Sequence, residues 1–346
     1  MILRELSQLS GVSGDEGRVR RRIWEAVRDK VDGGKVDAMG NLITWKGLDK
    51  PGPRLMIAAH MDEIGLMITR VDNDGLLRFK KVGGIDDRVL PSKAVRVGPD
   101  EIPGVIGIKP AHLTNAGERS KPVPAKDLFI DIGASSNEEA EKLVRPGMYA
   151  AFATEYQEFG RRMAKGKAFD DRVGCSLLVD LLSGDPPFPL FGVFTVQEEI
   201  GLRGARIAAY DVAPDLALVL EGTTCADIPG AEEHGQSTRL GHGPAITVMD
   251  RTSIPARPVI ETLARVGTEA GIPWQWKRTT FGGTDAGSIH LTREGVPSAT
   301  VSVPCRYIHS PAAFMSLDDY DNTLRLLEAF LPHVPEVARR LAPRRA

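Results

Sequence analysis

A chain of 346 residues, 42% hydrophobic and 26% charged, has enough apolar sequence for a large core and two domains. Its formal net charge of −2 leaves no electrostatic footprint for a nucleic-acid or polyanion partner, and no apolar run approaches the length of a membrane span. Cys175, Cys225 and Cys305 are an odd number without paired spacing, which argues against a disulfide framework and a thiolate zinc site. The opening MILRELSQLSGVSG has no cleavable signal pattern, so the expected setting is reducing and cytoplasmic.

In chain order, residues 2–9 read as a short amphipathic helix. Ser13 and Glu16 have capping-box spacing and predict a helix running to about residue 30. Strands are expected over 41–45 and 54–60. From 66 to 162 the pattern changes to alternating apolar residues (LMITRV, LLRFKKV, KAVRV, GVIGI, LFIDI) separated by Gly, Pro and Asp, the signature of a small all-β unit. Beyond residue 167 strands (191–197, 216–221, 245–250, 272–278, 298–304) alternate with helices (173–182, 205–210, 257–270, 286–291, 317–331). That alternation predicts an α/β fold with a mostly parallel sheet wrapped by helices. The expected organisation is one α/β domain, 1–65 and 163–346, interrupted by a β-rich domain, 66–162. The last three residues, 344–346, form a short basic tail.

Five residues able to ligate a divalent metal stand where apolar runs end: His60, Asp170, Glu199, Glu221 and His309. Open α/β sheets build their sites at the carboxyl edge of the strands, which is where such residues would meet. Taken singly, each has a plainer reading as a turn acid, a helix cap or a surface histidine. Two histidines with three carboxylates exceed what one tetrahedral zinc with a water needs, and suit two metals sharing a carboxylate. Asp170 is the natural bridge, with Arg172 available to neutralise Asp171. Asp62 points to the same side of its strand as His60 and can accept the second N–H of a ligating imidazole. Glu198 and Glu199 project in opposite directions, so one can bind metal while the other serves as general base.

The segments AAHMDEIG, KAFDDRVG, VQEEIGLRGA, EGTTCADIPG, FGGTDAGSIH and RYIHSP, with VGGIDDRVLP, GVIGIKP and DLFIDIGASS in the insert, resemble the tetrahedral (TET) glutamyl/deblocking aminopeptidases, proteins sometimes labelled endoglucanases. The resemblance implies a zinc-peptidase-like catalytic domain, an inserted dimerisation domain, and a homo-oligomer built from dimers, a dodecamer in many members. It implies two divalent metal ions per subunit held by His60, Asp170, Glu199, Glu221 and His309, Glu198 as general base, and Asp62 behind His60. It also puts Gly282, Gly283, Thr284 and Asp285 in the substrate pocket for peptides. Zinc leads, with cobalt or manganese also compatible with nitrogen and oxygen ligands. Glu221 stands where the family often has Asp. Two rival classes are a carboxylate-based glycosidase, which leaves both histidines unexplained, and an inactive metal-binding scaffold. His112, His234, His242, His290 and His333 lack acids at ligand spacing and read as surface or packing residues.

Overall fold

The structure is a computed structural model of the chain and describes residues 1–341, so the basic tail at 344–346 lies outside the described residues. Three strands come first: β1 (Gly33–Val36), β2 (Leu42–Lys46) and β3 (Leu55–His60). Six follow in the insert: β4 (Gly65–Val71), β5 (Leu77–Val82), β6 (Ala94–Val97), β7 (Ile102–Gly107), β8 (Phe129–Asp131) and β9 (Tyr149–Phe152). The remainder are β10 (Gln157–Phe159), β11 (Met163–Gly166), β12 (Leu190–Thr195), β13 (Leu216–Thr224), β14 (Ala245–Thr247), β15 (Gln275–Lys277), β16 (Ser298–Arg306) and β17 (Ala313–Ser316).

The large sheet has 11 strands, ordered β1-β2-β12-β3-β13-β16-β17-β11-β10, with β14 and β15 branching from β16. It is mixed, which corrects the expectation of a mostly parallel sheet. Only the central run β12-β3-β13-β16 and the β14–β15 pair are parallel. The flanking strands all pair antiparallel. They are short, and several lie where the sequence shows no strand period.

All six residues of β3 are buried, as expected of a central strand covered on both faces. Leu55, Ile57 and Ala59 pack with Phe169, Val173 and Leu177 of the helix Phe169–Leu181 and with the helices 17–27, 257–269 and 317–330. The alternate residues Met56 and Ala58 pack with Ala205, Ala208 and Ala209 of the helix Arg203–Val212 and with Ile289. A run of small residues on that helix lets it approach the strands closely. The period of two in β3 therefore divides the core into its two faces.

The insert closes into a barrel, β4-β5-β8-β7-β6-β9, with antiparallel neighbours throughout. Its inward residues Leu66, Ile68, Leu77, Val95, Val97, Ile106 and Ile130 form a separate core. Closure leaves no free strand edge, which an open sheet of this size would expose. The last barrel strand ends at Phe152, and β10 already pairs with β11 in the large sheet, so barrel gives way to sheet between residues 152 and 157.

The helix Val334–Leu341 has no counterpart in the sequence reading, because Pro335 reads as a breaker although the first turn of a helix tolerates proline. The capping box does not form. The helix Gly17–Val27 has no side-chain cap, Ser13 Oγ donates to Asp62 Oδ2 at 2.6 Å, and Glu16 Oε1 accepts from the amides of Gly14 and Gln197. Both residues serve long-range contacts instead.

Candidate metal centre

The five expected ligands converge at the carboxyl edge of the parallel run. His60 is the last residue of β3, in register with Thr195 of β12, so Glu198 and Glu199 follow directly beside it. Glu221 lies inside β13, which runs to Thr224 rather than ending at the acid, and pairs with Ser302 of β16. His309 stands in the loop after β16. Gly222 permits the approach of the helix carrying Asp170, since a Cβ there would lie 2.9 Å from Phe169 O and 3.0 Å from Asp170 N.

Asp170 sits between the two histidines. Its Oδ1 is 3.2 Å from His60 Nε2 and its Oδ2 is 3.4 Å from His309 Nε2. Glu221 Oε2 is 3.6 Å and Glu198 Oε2 4.0 Å from His60 Nε2, while Glu199 Oε2 is 3.6 Å from His309 Nδ1. Three sets of donor atoms are close enough to hold a cation: His60, Glu198 and Glu199; His60, Asp171 and Glu221; and Asp170, Glu199 and His309.

The helix that starts at Phe169 is not helical at Asp170 (φ −84°, ψ 105°) or Asp171 (φ −125°, ψ 41°). The two acids diverge in consequence. Asp170 lines the cavity, whereas Asp171 is fully buried, accepting from the amides of His60 at 3.0 Å and Gly174 at 2.9 Å. Asp171 thus caps the helix, as the sequence allows, and also braces His60, a role that two adjacent acids do not disclose. Arg172 does not neutralise it. Its guanidinium donates to the carbonyls of Leu6, Leu9, Gly11 and Met61 and approaches Glu63 at 3.4 Å.

Asp62 does more than stand behind His60. His60 Nδ1 lies 3.1 Å from the Asp62 carbonyl and 3.4 Å from its Oδ1. The same carboxylate accepts from the amides of Glu198 at 3.0 Å and Glu199 at 3.1 Å, so one side chain ties the histidine to the glutamate pair. His309 Nδ1 is 3.0 Å from the carbonyl of Gly84, in the barrel's β5–β6 connection. A Cβ at Gly84 would approach His309 Nδ1 to 3.3 Å. Ala168, Gln197 and His309 all hold positive φ, each at or beside a site residue, a local strain of order 1–3 kcal/mol apiece that the surrounding packing must hold.

Charge is crowded here. Burial pushes Glu198 and Glu221 well above the ordinary carboxylate range, and Glu199 to about 7. Burial opposes charge on His60, but the carboxylates of Asp170 and Asp62 hold its imidazole well above 6.5; His309, also beside Asp170, rises to about 10 despite burial. Those imidazoles outweigh burial at Asp170 and hold it below its usual range. Among the described residues no lysine or arginine forms an ion pair with Asp170, Glu198, Glu199 or Glu221. Glu221 Oε1 is buried with no hydrogen-bond partner. A set of nitrogen and oxygen donors without a counter-cation, one of them unpartnered, fits divalent metal.

A cavity of about 640 Å³ opens on the centre, lined by Asp170, Glu198, Glu199, Glu221 and His309 and, across from them, by Gly282, Gly283 and Thr284. Asp285 is not part of the lining. It is fully buried, and its Oδ2 accepts from Thr195 Oγ1. Arg251, Thr252, Lys277 and Phe281 also line the cavity, and the sequence reading singled out none of them for it. A larger cavity of about 770 Å³ lies at the other edge of the sheet, beside Pro53, Asp215 and Pro297 ahead of β3, β13 and β16, and contains none of the expected residues. His234 meets the exposed Glu232, and His333 meets the exposed Glu336 and the Arg265 guanidinium, away from the centre. The three cysteines are free and buried.

A sequence model described as M42 glutamyl aminopeptidase matches residues 40–326. The chain is 33% identical to a lysyl aminopeptidase from Pyrococcus furiosus over 342 residues, covering 95% of this chain and 96% of that protein. Its structure is similar to a TET aminopeptidase from a marine-sediment thaumarchaeote, at TM-score 0.95 and 36% identity over 99% of this chain and 98% of that one. It is also similar to the Pyrococcus horikoshii TET1 peptidase, which assembles into a tetrahedron or a large octahedral shell, at TM-score 0.85 and 36% identity over 95% of this chain and 98% of that one.

Proposed function

Because the chain belongs to the M42 glutamyl aminopeptidase family, we propose that it removes amino-terminal residues from peptides at a two-metal centre with Glu198 as general base. The observation that carries this reading is the Asp170 carboxylate, whose two oxygens face two different imidazoles. One cation would be held by His60 and Glu221, the other by His309 and Glu199, with Asp170 shared; zinc is the first choice on donor chemistry, cobalt and manganese the next. When bound, such a pair supplies Lewis acidity and acidifies water.

The chain's own groups do the rest. Glu198 Oε2 accepts the proton of the attacking water and returns it to the leaving amine. Its burial suits a group that must hold a proton midway through the reaction. Asp62 orients the His60 ring and fixes the Glu198–Glu199 backbone. Gly282, Gly283 and Thr284 shape the wall for the substrate, while Asp285, buried behind the cavity, accepts from Thr195 Oγ1. Two imidazoles within reach of the acids tell against the carboxylate-only glycosidase, which needs none, and the buried base tells against the inactive scaffold.

The β barrel is proposed as the dimerisation domain, and closed assemblies of the kind formed by the P. horikoshii peptidase support a homo-oligomer, a dodecamer, built from those dimers. No described helix is long and apolar enough to cross a membrane. Free buried cysteines suit the reducing interior of a cell, so a cytoplasmic setting is proposed.

Chelation tests the centre. Prolonged dialysis against a chelator should abolish hydrolysis of aminoacyl anilides, and zinc, cobalt or manganese should restore it. Full activity in protein that elemental analysis finds free of metal would refute the reading.

A further inference from the structure

The segment 11–16 does not do what its spacing suggests. It gives the helix Gly17–Val27 no side-chain cap, and neither Ser13 nor Glu16 lines the cavity, yet both are buried. Their side chains reach instead towards the turn that carries Glu198 and Glu199. The successive amides of that turn all donate to side chains: Val196 N to Asn41 Oδ1 at 3.0 Å, Gln197 N to Glu16 Oε1 at 3.2 Å, Glu198 N to Asp62 Oδ1 at 3.0 Å and Glu199 N to Asp62 Oδ2 at 3.1 Å. Side chains that satisfy a backbone in place of a ladder dictate its path. The path here is one the chain resists, since Gln197 holds φ at 56°. Ser13 fixes the acceptor of the last two amides, its Oγ donating to Asp62 Oδ2 at 2.6 Å.

The segment is itself held. Ser13 N donates to Glu63 O at 3.3 Å, and Glu16 Oε1 also accepts from Gly14 N at 2.7 Å. A Cβ at Gly14, whose φ is 96°, would lie 2.6 Å from the Tyr149 hydroxyl of the barrel. Stability alone gives Glu16 little reason to be a carboxylate. Among the described residues no lysine or arginine forms an ion pair with it, and a buried charge without a cation is costly. What the charge gives is a pair of charge-assisted hydrogen bonds, from the amides of Gly14 and Gln197. We propose that Glu16 and Ser13 are positioning residues for the general base. Glu16 holds the Gln197 peptide and Ser13 the Asp62 carboxylate, and together they set the backbone from which the Glu198 side chain departs into the cavity. This role rests on the reading of Glu198 as the base of an aminopeptidase.

The test uses metal-loaded, full-length protein and the aminoacyl 4-nitroanilide that wild type cleaves best. Since a reacting group misplaced by about 1 Å costs about 100-fold, Glu16→Ala should lower kcat by about 10- to 100-fold, with KM and the metal content found by elemental analysis unchanged. Glu16→Gln, which keeps an acceptor oxygen, should recover most of that loss, and Ser13→Ala should lower kcat as Glu16→Ala does. Both alanine substitutions are then repeated in Glu198→Gln. With no base left to aim, each should change the remaining rate by less than about twofold, whereas a residue that only supports the fold would cost the same factor in both backgrounds. Where Glu16→Ala does not fold, Ser13→Ala in the two backgrounds decides alone. Equal losses in the two backgrounds, wild-type kcat in either alanine variant, or metal lost from Glu16→Ala would overturn the positioning role while leaving the aminopeptidase standing. A Glu198→Gln protein as fast as wild type, or wild type inert towards every anilide with zinc, cobalt or manganese, would overturn the reading of Glu198 as well.

Discussion

At the scale of single residues the centre separates two neighbours with opposite duties. Glu199 approaches His309, and Glu198 approaches His60 while lining the cavity. Glu198→Gln keeps shape but cannot take a proton, so kcat should fall about 10²- to 10⁴-fold with metal still bound. Glu199→Gln should lose metal affinity and recover in excess metal. Measuring metal content and kcat on both variants decides the assignment, and a Glu198→Gln protein that lost metal yet worked when metal was supplied would reverse it. The five candidate ligands were legible because each stands at or near the end of an apolar run in the sequence, where a charged group has no packing reason to be, although in the structure Glu221 lies within β13 and Asp170 within the helix Phe169–Leu181. Asp171 was not, since its inward turn depends on local backbone angles that two consecutive acids do not encode. Nor was the Ser13 hydroxyl's bond to Asp62, because a capping box and a long-range contact share one sequence spacing.

Among elements, the first helix, the end of β3 and the start of the Phe169–Leu181 helix are joined by the buried Glu63, Lys167 and Arg172. Glu63 accepts from Gly11 N at 3.0 Å as well as from Lys167, and Arg172 closes the set through the Leu6 and Met61 carbonyls. Losing one partner of such a pair leaves a buried charge uncompensated. Lys167→Met should therefore destabilise the protein by about 3–5 kcal/mol in denaturant unfolding, and Lys167→Met with Glu63→Leu should recover much of that. A single variant as stable as wild type would show that the pair holds nothing together. The central strands and the main helices were legible from their periods, since each is long enough to show one. The mixed character of the sheet was not, because β1, β10, β11 and β17 are only three or four residues long.

For the whole molecule, the barrel is both a proposed contact surface and part of the centre. Light scattering at micromolar concentration should find a closed oligomer, and a monomer would remove the proposed role of the insert. A separate dimerisation domain could be deleted without disturbing the metal centre. The Gly84 carbonyl against His309 makes a different outcome the expected one, a protein impaired in assembly and in holding metal at His309 together.

The passage from sheet to barrel has a further consequence. It takes only residues 61–64, and Met61, Asp62, Glu63 and Ile64 are all buried. Met61 N donates to Thr195 O, while Glu63 exchanges main-chain hydrogen bonds with Gly11 and Ser13. Hinged enzymes close over a substrate by flexing a few loosely held residues between two bodies. Here one of the two crossings between sheet and barrel is held by main-chain hydrogen bonds on both sides, and it carries the residue behind His60. Closure by flexing at this crossing would have to break those bonds, and the exposed Phe281 stands on the wall of the cavity that the crossing adjoins.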